Sequence, residues 1–149
     1  MVEDLTFYFS HYLLHTPYFY ASYHKYHHEH KVTTTFAMFH AHPLEFALGN
    51  ILPSTLGALI LGKRMHFSSY MACALVMMTH SLEEHSGYDF SWSVWRLLPF
   101  GFNGKEHSYH HSDNVGSFGS FLEVWDTVLC SNFSFWNSYR SDERKLKSQ

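Results

Sequence analysis

Cysteine is scarce in this chain of 149 residues, which argues against disulfide bonding and thiolate metal sites. The two cysteines, Cys73 and Cys130, stand far apart, and neither belongs to a CxxC pair or a zinc-finger spacing. A disulfide framework is therefore not expected, and a thiolate-bound metal is not expected either. The sequence predicts two free thiols in a reducing compartment, and any metal would be bound through nitrogen and oxygen atoms.

Charge is also scarce, and this excludes one class of partner. Charged residues make up 15% of the chain, against roughly 25% in an ordinary soluble domain. The formal net charge is −3, so no basic excess exists to neutralise phosphates, and the sequence predicts no nucleic-acid binding. The first residues carry Glu3 and Asp4 where a secretory signal would carry basic residues, so no signal peptide is expected.

Apolar residues are abundant, at 46% of the chain, and they are concentrated in two runs. Residues 46–62 and 65–82 contain no Asp, Glu, Lys or Arg, and Lys63 and Arg64 separate them. Each run would form a helix about 25–27 Å long, close to the ~30 Å hydrocarbon core of a bilayer. We therefore predict an apolar helical hairpin at about 46–82 in a membrane-associated protein, with a kink at Pro53. A buried hairpin in a soluble protein is the alternative.

Fourteen histidines are the most unusual feature of the composition. Histidine is the commonest metal ligand, and each buried imidazole needs partners for its two nitrogens. Eight of them form three boxes, H-Y-L-L-H, H-K-Y-H-H and H-S-Y-H-H: His11, His15, His24, His27, His28, His107, His110 and His111. On a helix, residues at i, i+3 and i+4 share one face, so their imidazoles can converge on one ion.

Eight such histidines could supply four nitrogen ligands to each of two metals. Zinc normally stops at four ligands per ion and has no redox chemistry, so two irons fit the pattern better. His85 follows the second apolar run and is a further candidate ligand. His42 and His80 are equally compatible with ligation and with a structural role.

The boxes and their neighbouring strings resemble a known superfamily. H-Y-L-L-H, H-K-Y-H-H-E, H-A-H-P-L-E, E-E-H-S-G-Y-D-F and G-K-E-H-S-Y-H-H-S-D-N-V-G-S-F-G-S-F-L-E-V-W-D are similar to motifs of the fatty acid hydroxylase/sterol desaturase superfamily. A-H-P-L-E and H-S-G-Y-D are most similar to its C4-methylsterol oxidase branch, and the likeness runs from His11 to Val128. The superfamily usually has membrane helices before this region, so we expect an N-terminally truncated chain.

The resemblance implies a fold and a ligand set. It implies an all-α, membrane-associated domain over residues 1–139, in which a histidine-rich di-iron cap faces the cytosol, followed by a polar C-terminal tail at 140–149. The eight box histidines and His85 would bind two non-haem irons, with molecular oxygen as co-substrate. Electrons would come from cytochrome b5 or from an NAD(P)H-dependent reductase, and the protein would reside in the endoplasmic reticulum membrane.

The activity implied is oxygen-dependent oxidation of a membrane lipid, and the branch favours the C4-methyl group of a sterol, in sterol biosynthesis. Other superfamily activities remain open: a fatty acid or sphingolipid hydroxylase, a sterol C5 desaturase, or an aldehyde-processing wax enzyme. A catalytically inactive, metal-binding membrane fragment is a second alternative. A soluble metal-storage protein is a third, although its histidines would be scattered or tandem and not boxed.

Overall fold

The computed structural model describes residues 1–101 and 104–147, and this part of the chain is helical, as predicted. The one β-type pairing recorded in these ranges is an isolated bridge between Gly101 and Leu122. The α-helices, in chain order, are α1 (Val2–Leu14), α2 (Pro17–Ser22), α3 (Pro43–Phe46), α4 (Leu52–Leu61), α5 (Phe67–Glu84), α6 (Gly104–Asp113), α7 (Val124–Val128) and α8 (Phe133–Lys147). Shorter 3₁₀ helices cover His24–Glu29, Thr35–Phe39, Gly62–Arg64 and Val94–Leu97, and a π-helical turn covers Ala47–Ile51.

The interior of this fold is polar, and much of its outer surface is apolar. Buried side chains include histidines, carboxylates and a few apolar residues, among them Leu14, Met38 and Phe135. By contrast, Leu59, Phe67 and Leu75 are 72%, 73% and 62% exposed. A water-soluble domain shows the reverse distribution. The core must therefore be held together mainly by polar interactions or by metal coordination.

One continuous helix has the length and composition of a membrane span. It runs over Pro43–Arg64 and comprises α3, the π turn, α4 and the following 3₁₀ turn, and most of its residues are apolar. At 1.5 Å per residue it is about 33 Å long, which matches the ~30 Å hydrocarbon core. Among the described residues no other helix meets both criteria. The second arm of the hairpin, α5, ends with Glu83 and Glu84, which lower its hydropathy.

The irregularity expected at Pro53 takes the form of the π turn that precedes it. Proline has no N–H group, so Pro53 cannot donate to the carbonyl of Gly49 four residues earlier. The widened turn at Ala47–Ile51 accommodates this missing bond. It also turns Gly49, which is buried, and Asn50, which is half-buried, toward the interior.

The hairpin carries the histidine-bearing helices. Gly62, with φ of +52°, ends α4 in a backbone conformation that suits glycine, and α5 then returns along the protein. Helix α1 contacts α4, and α6 contacts α5, so each arm supports one histidine box. Helix α8 runs across position 140, where we expected the polar tail to begin, and that tail is helical as far as Lys147. Residues 148 and 149 lie outside the described residues.

Candidate metal centre

Five of the predicted ligands form one compact group. Their ligand nitrogens lie within 4.8 Å of one another, and four of the five residues are buried: His11, His15, His24, His28 and His110. The Nε2 atom of His15 lies 3.1 Å from that of His110 and 2.9 Å from that of His24. The Nε2 atoms of His24 and His28 are 3.1 Å apart. We call this set the five-histidine group.

The other four predicted ligands form a second group beside the first. All four are buried, with ligand nitrogens again within 4.8 Å of one another: His27, His85, His107 and His111. The Nε2 atom of His107 lies 2.9 Å from that of His85 and 3.2 Å from that of His111. The ring of His111 stacks on that of His28, with centroids 4.6 Å apart, so this four-histidine group adjoins the five-histidine group.

Each HxxHH box divides its histidines between the two groups. From the first box, His24 and His28 enter the five-histidine group, and His27 enters the four-histidine group. The second box does the converse, since only His110 joins the five-histidine group. The first box lies on a 3₁₀ helix, His24–Glu29, and the second on α6, so one spacing serves two helix types. The sequence predicted convergence but not this exchange between boxes.

The outward-facing nitrogens fix the direction of the lone pairs. The Nδ1 atoms of four histidines lie against backbone carbonyls: His11 at 3.0 Å from Phe118, His27 at 3.2 Å from His40, His85 at 2.9 Å from Ser81 and His110 at 2.6 Å from Gly116. A carbonyl can only accept, so each Nδ1 carries the proton and each Nε2 presents a bare lone pair to the group. This arrangement orients histidines in metal sites.

The close contacts in the five-histidine group outnumber the protons that could bridge them. The Nδ1 atom of His24 lies 2.8 Å from the Glu45 carboxyl group; an ionised carboxylate there accepts the Nδ1–H and leaves the His24 Nε2 bare, as is that of His110. Protons on the Nε2 atoms of His15 and His28 can then serve two of the three Nε2 contacts, and the third has no proton between its two nitrogens. A cation at the centre would accept a lone pair from every Nε2 at once.

The distances also suit a metal ion. With nitrogens about 2.0–2.1 Å from a metal, neighbouring ligands at right angles are about 2.9 Å apart, and tetrahedral ones about 3.4 Å. The observed Nε2 separations of 2.9 to 3.2 Å fall in this interval. Each group therefore has the donor chemistry and the spacing to bind one ion.

Burial keeps these imidazoles neutral, as ligation requires. Burial lowers the pKa of His11 and His85 to about 4 and that of His27 to about 3, with neighbouring imidazoles adding to the effect. The pKa of His107 and that of His110 are also lowered well below 6.5, for the same reasons. At neutral pH the groups therefore offer lone pairs and carry no charge of their own.

His42 and His80, the two further candidates, lie outside both groups. The Nδ1 atom of His42 accepts the backbone N–H of Leu44 at 3.2 Å and so caps α3. His80 is buried, with Nδ1 3.3 Å from Glu84 and its ring against those of Trp95 and Phe121. The structure does not bring these two imidazoles to either candidate ion position.

Sequence reasoning missed two carboxylates that support the groups. The Glu45 carboxyl group lies 2.8 Å from Nδ1 of His24, and Glu45 is the one charged residue at the start of the long apolar helix, which is a usable signal. Asp126 supports the histidine groups indirectly. It accepts the backbone N–H groups of Phe118 at 2.8 Å and Gly119 at 2.6 Å, and the Ser131 hydroxyl at 2.6 Å.

Asp126 therefore holds in place the loop whose carbonyls orient two of the predicted ligands. That loop presents the carbonyl of Phe118 to His11 and the carbonyl of Gly116 to His110. Gly116, with φ of +60°, has no room for a side chain, because an added Cβ would overlap the Ser131 carbonyl. Because the loop is fixed on both sides, the two imidazoles are fixed too.

Asp126→Asn is expected to weaken metal binding at the five-histidine group about 10–100-fold, with little effect on the four-histidine group. The amide can no longer accept from both backbone N–H groups, so the loop and its two carbonyls shift. Chelator competition followed by metal analysis measures the change. Asp4→Asn is the matched control, because Asp4 is equally buried and binds the same stretch at the Leu122 N–H, 3.1 Å away, without touching a histidine-binding carbonyl. Equal losses in both variants would contradict the role given to Asp126.

A small cavity of about 40 Å³ adjoins both groups. Its lining includes His11 and His24 from one group, and His27, His85 and His107 from the other. Metals held by the two groups would thus share one small, partly enclosed space, large enough for a few small atoms. Such a chamber can hold a reacting group close to both ions and away from bulk water.

Comparison with known proteins agrees with the motifs. The family model described as fatty acid hydroxylase matches residues 1–131. Methylsterol monooxygenase erg25B of Aspergillus fumigatus is 31% identical over 98% of this chain and 50% of its own length. Methylsterol monooxygenase 1 of Danio rerio is 33% identical over 99% of this chain and 50% of its own length. Fatty acid hydroxylase domain-containing protein 2 of Homo sapiens is 39% identical over 74% of this chain and 30% of its own length.

The chain thus spans about half the length of the curated relatives it matches first. No solved structure matches it.

Proposed function

The chain belongs to the fatty acid hydroxylase family, and on that premise we propose that it carries the metal centre of an oxygen-dependent lipid oxidase acting on the C4-methyl group of a sterol. The observation that carries this proposal is the convergence of nine neutral imidazoles into two adjoining groups, each spaced for one ion. The names of the relatives from Aspergillus fumigatus and Danio rerio support the substrate.

Two non-haem irons are the metals proposed. The five-histidine group would hold one iron and the four-histidine group the other. Imidazole ligation suits iron, copper, nickel and zinc by affinity, but five nitrogen donors in one group exceed the four that zinc normally takes. When bound, the iron pair supplies the redox chemistry that activates molecular oxygen.

The chain's own residues position the metals and exclude water. Backbone carbonyls hold four of the imidazoles in one tautomer, which directs their Nε2 lone pairs inward, and Glu45 lies against the Nδ1 of a fifth, His24. Buried apolar side chains, among them Leu14 and Met38, line the small chamber with the ligands and limit its access to solvent. Orientation and exclusion of this kind are what a protein contributes to cofactor chemistry.

Membrane association and the electron supply belong to the same proposal. The helix Pro43–Arg64 is long and apolar enough to cross a bilayer, and the exposed apolar surface of α4 and α5 suits contact with lipid. We place the protein in the endoplasmic reticulum membrane, with its metal centre facing the cytosol. Cytochrome b5 or an NAD(P)H-dependent reductase would deliver the electrons.

Sterol turnover in membranes that contain the iron-loaded protein tests the proposal. The assay contains NADH, air, and cytochrome b5 or a reductase to deliver the electrons. A C4-methyl sterol is then expected to yield C4-hydroxymethyl and later C4-carboxyl products, which mass spectrometry detects. Without oxygen no product is expected, and product formed under strict anaerobiosis would rule out an oxygenase. The same assay is run with fatty acids, sphingolipids and C5-saturated sterols. Turnover of one of these in place of the C4-methyl sterol would identify another activity of the family. Full iron content without turnover of any lipid would indicate an inactive metal-binding protein.

A further inference from the structure

Three adjoining cavities lead from the apolar hairpin to the metal centre. The outermost, of about 570 Å³, lies between the start of α1, α4 and α5, with a lining that is mostly apolar. It shares Glu3, Ser54 and Met77 with a middle cavity of about 220 Å³. The middle cavity in turn shares several lining residues with the 40 Å³ chamber at the histidines. Together they form a path that narrows toward the metals.

Three polar side chains stand where the middle cavity meets the chamber. Asn50, Ser81 and Ser120 line both spaces. In the described part of the chain, none of the three side chains hydrogen-bonds to another residue, and all three are half-buried. The amide and the two hydroxyls are thus free to bind a polar ligand group in place of solvent, in a passage that is mostly apolar. We call these three residues the polar collar.

Local structure fixes each member of the collar beside the metal centre. Asn50 lies in the π turn, a feature often found at functional sites, and that turn directs its amide to the chamber. Ser81 lies one helical turn before His85, and its own carbonyl accepts from that histidine. Ser120 follows Gly119, whose N–H is bound to Asp126. The three therefore keep a constant position relative to the two histidine groups.

We propose that the polar collar binds a hydroxyl group on the lipid, on the carbon next to the one that carries the reacting methyl group, and so selects the substrate and the position oxidised. This inference rests on the proposed function, because it takes the reacting carbon to lie at the histidine groups. An amide and two hydroxyls can both donate to and accept from one alcohol. The expected ligand is an apolar molecule with a single hydroxyl group at the end that reacts.

The sizes of the cavities support a hydroxyl group close to the reacting methyl group. A water molecule needs roughly 10–15 Å³ of this kind of space, so the 40 Å³ chamber admits a methyl group and little more. Only the edge of a lipid can pass the collar, and its body must remain in the two outer cavities. A hydroxyl held at the collar therefore brings the neighbouring carbon and its methyl group to the metals. A sterol, with its 3-hydroxyl beside C4, meets this requirement.

Binding measurements test the collar separately from turnover. The protein with its metals bound, in detergent, would be titrated with a C4-methyl sterol that carries the 3-hydroxyl and with its 3-deoxy analogue, by displacement of a fluorescent sterol. The hydroxylated sterol is expected to bind at least about tenfold more tightly. Asn50→Leu and Ser120→Ala are each expected to reduce this ratio severalfold, with unchanged metal content as the check on folding.

Ser54→Ala is the matched control, because Ser54 lines the outer cavities but already donates its hydroxyl to the Ile51 carbonyl at 3.0 Å. It should keep the tenfold ratio. Equal affinity for both sterols in the wild-type protein, or an unchanged ratio in both collar variants, would overturn the inference. A long-chain alcohol and its alkane provide a second pair. If the protein binds the alcohol more tightly than the alkane, loses that preference in the collar variants, and binds neither sterol, the role of the collar in binding a hydroxyl is supported. In that case the assignment of a sterol substrate is wrong.

Discussion

His110→Ala is expected to abolish oxidation, with kcat falling at least about 10³-fold, and to lower the iron content from about two ions per chain to about one. The Nε2 atom of His110 lies 3.1 Å from that of His15, and its Nδ1 is fixed 2.6 Å from the Gly116 carbonyl. Truncation removes a donor from the centre of the five-histidine group and opens a gap in the core. Elemental analysis with single-turnover assays measures both effects.

His27→Ala tests the other group in the same way, since His27 belongs to the four-histidine group, and it too should leave about one iron. His42→Ala is the control. His42 lies outside both groups and caps α3, so its loss should cost about 1 kcal/mol of stability at most and leave the iron content unchanged. If His27→Ala and His110→Ala both retain two irons, the ligand assignment is wrong.

Removal of the metals is expected to lower the midpoint temperature of unfolding by at least about 15 °C, because the free energy of metal binding contributes directly to the free energy of folding. Without a cation, the interior contains closely spaced imidazole nitrogens with too few protons to bridge them, and few apolar contacts to replace them. Calorimetry before and after chelation measures the change, and restoring iron should reverse it. A metal-free protein as stable as the loaded one would show that the groups hold no metal.

The metal-free protein should also be destabilised by mild acid. In the folded chain the pKa of His11 and His85 is about 4, whereas an unfolded histidine titrates near 6.5. The unfolded state therefore binds protons first as the pH falls, and stability is lost between about pH 6.5 and pH 4. Each such histidine contributes about 3 kcal/mol to this loss. Denaturant titrations at a series of pH values should show stability rising with pH in this window. A flat profile would contradict the burial of neutral imidazoles.

Features set by local spacing could be predicted from the sequence. The three boxes place histidines on shared helical faces, and the uncharged runs predict long apolar helices, so the helical class and the gathering of histidines followed from short-range pattern. His85 was identifiable because it directly follows an apolar helix, as its position at the end of α5 shows. These features need no knowledge of which helices meet.

Features that depend on tertiary contact could not be predicted. The division of each box between two groups depends on how α1, the 3₁₀ helix and α6 approach one another. The acceptors for His11 and His110 are backbone carbonyls, which every residue has, so no residue type signals them. Asp126 acts through the loop that presents these two carbonyls. Its hydrogen bonds in the described part of the chain go to Phe118, Gly119 and Ser131 and not to a histidine. For His42 and His80 the sequence was equally compatible with ligation and with a structural role, and only the fold shows that both lie outside the two groups.

The five-histidine group joins distant parts of the chain. His15 and His110 are 95 residues apart, and the Phe118 carbonyl is 107 residues beyond His11. A growing polypeptide cannot complete this group until α6 and the following loop have left the ribosome, which, at about 5–20 residues per second, is several seconds after the first box emerges. If the proposed function holds, iron loading is therefore a late event in biosynthesis. In a cell that lacks iron the finished chains would remain unstable and be degraded, so the abundance of this protein should follow the iron supply.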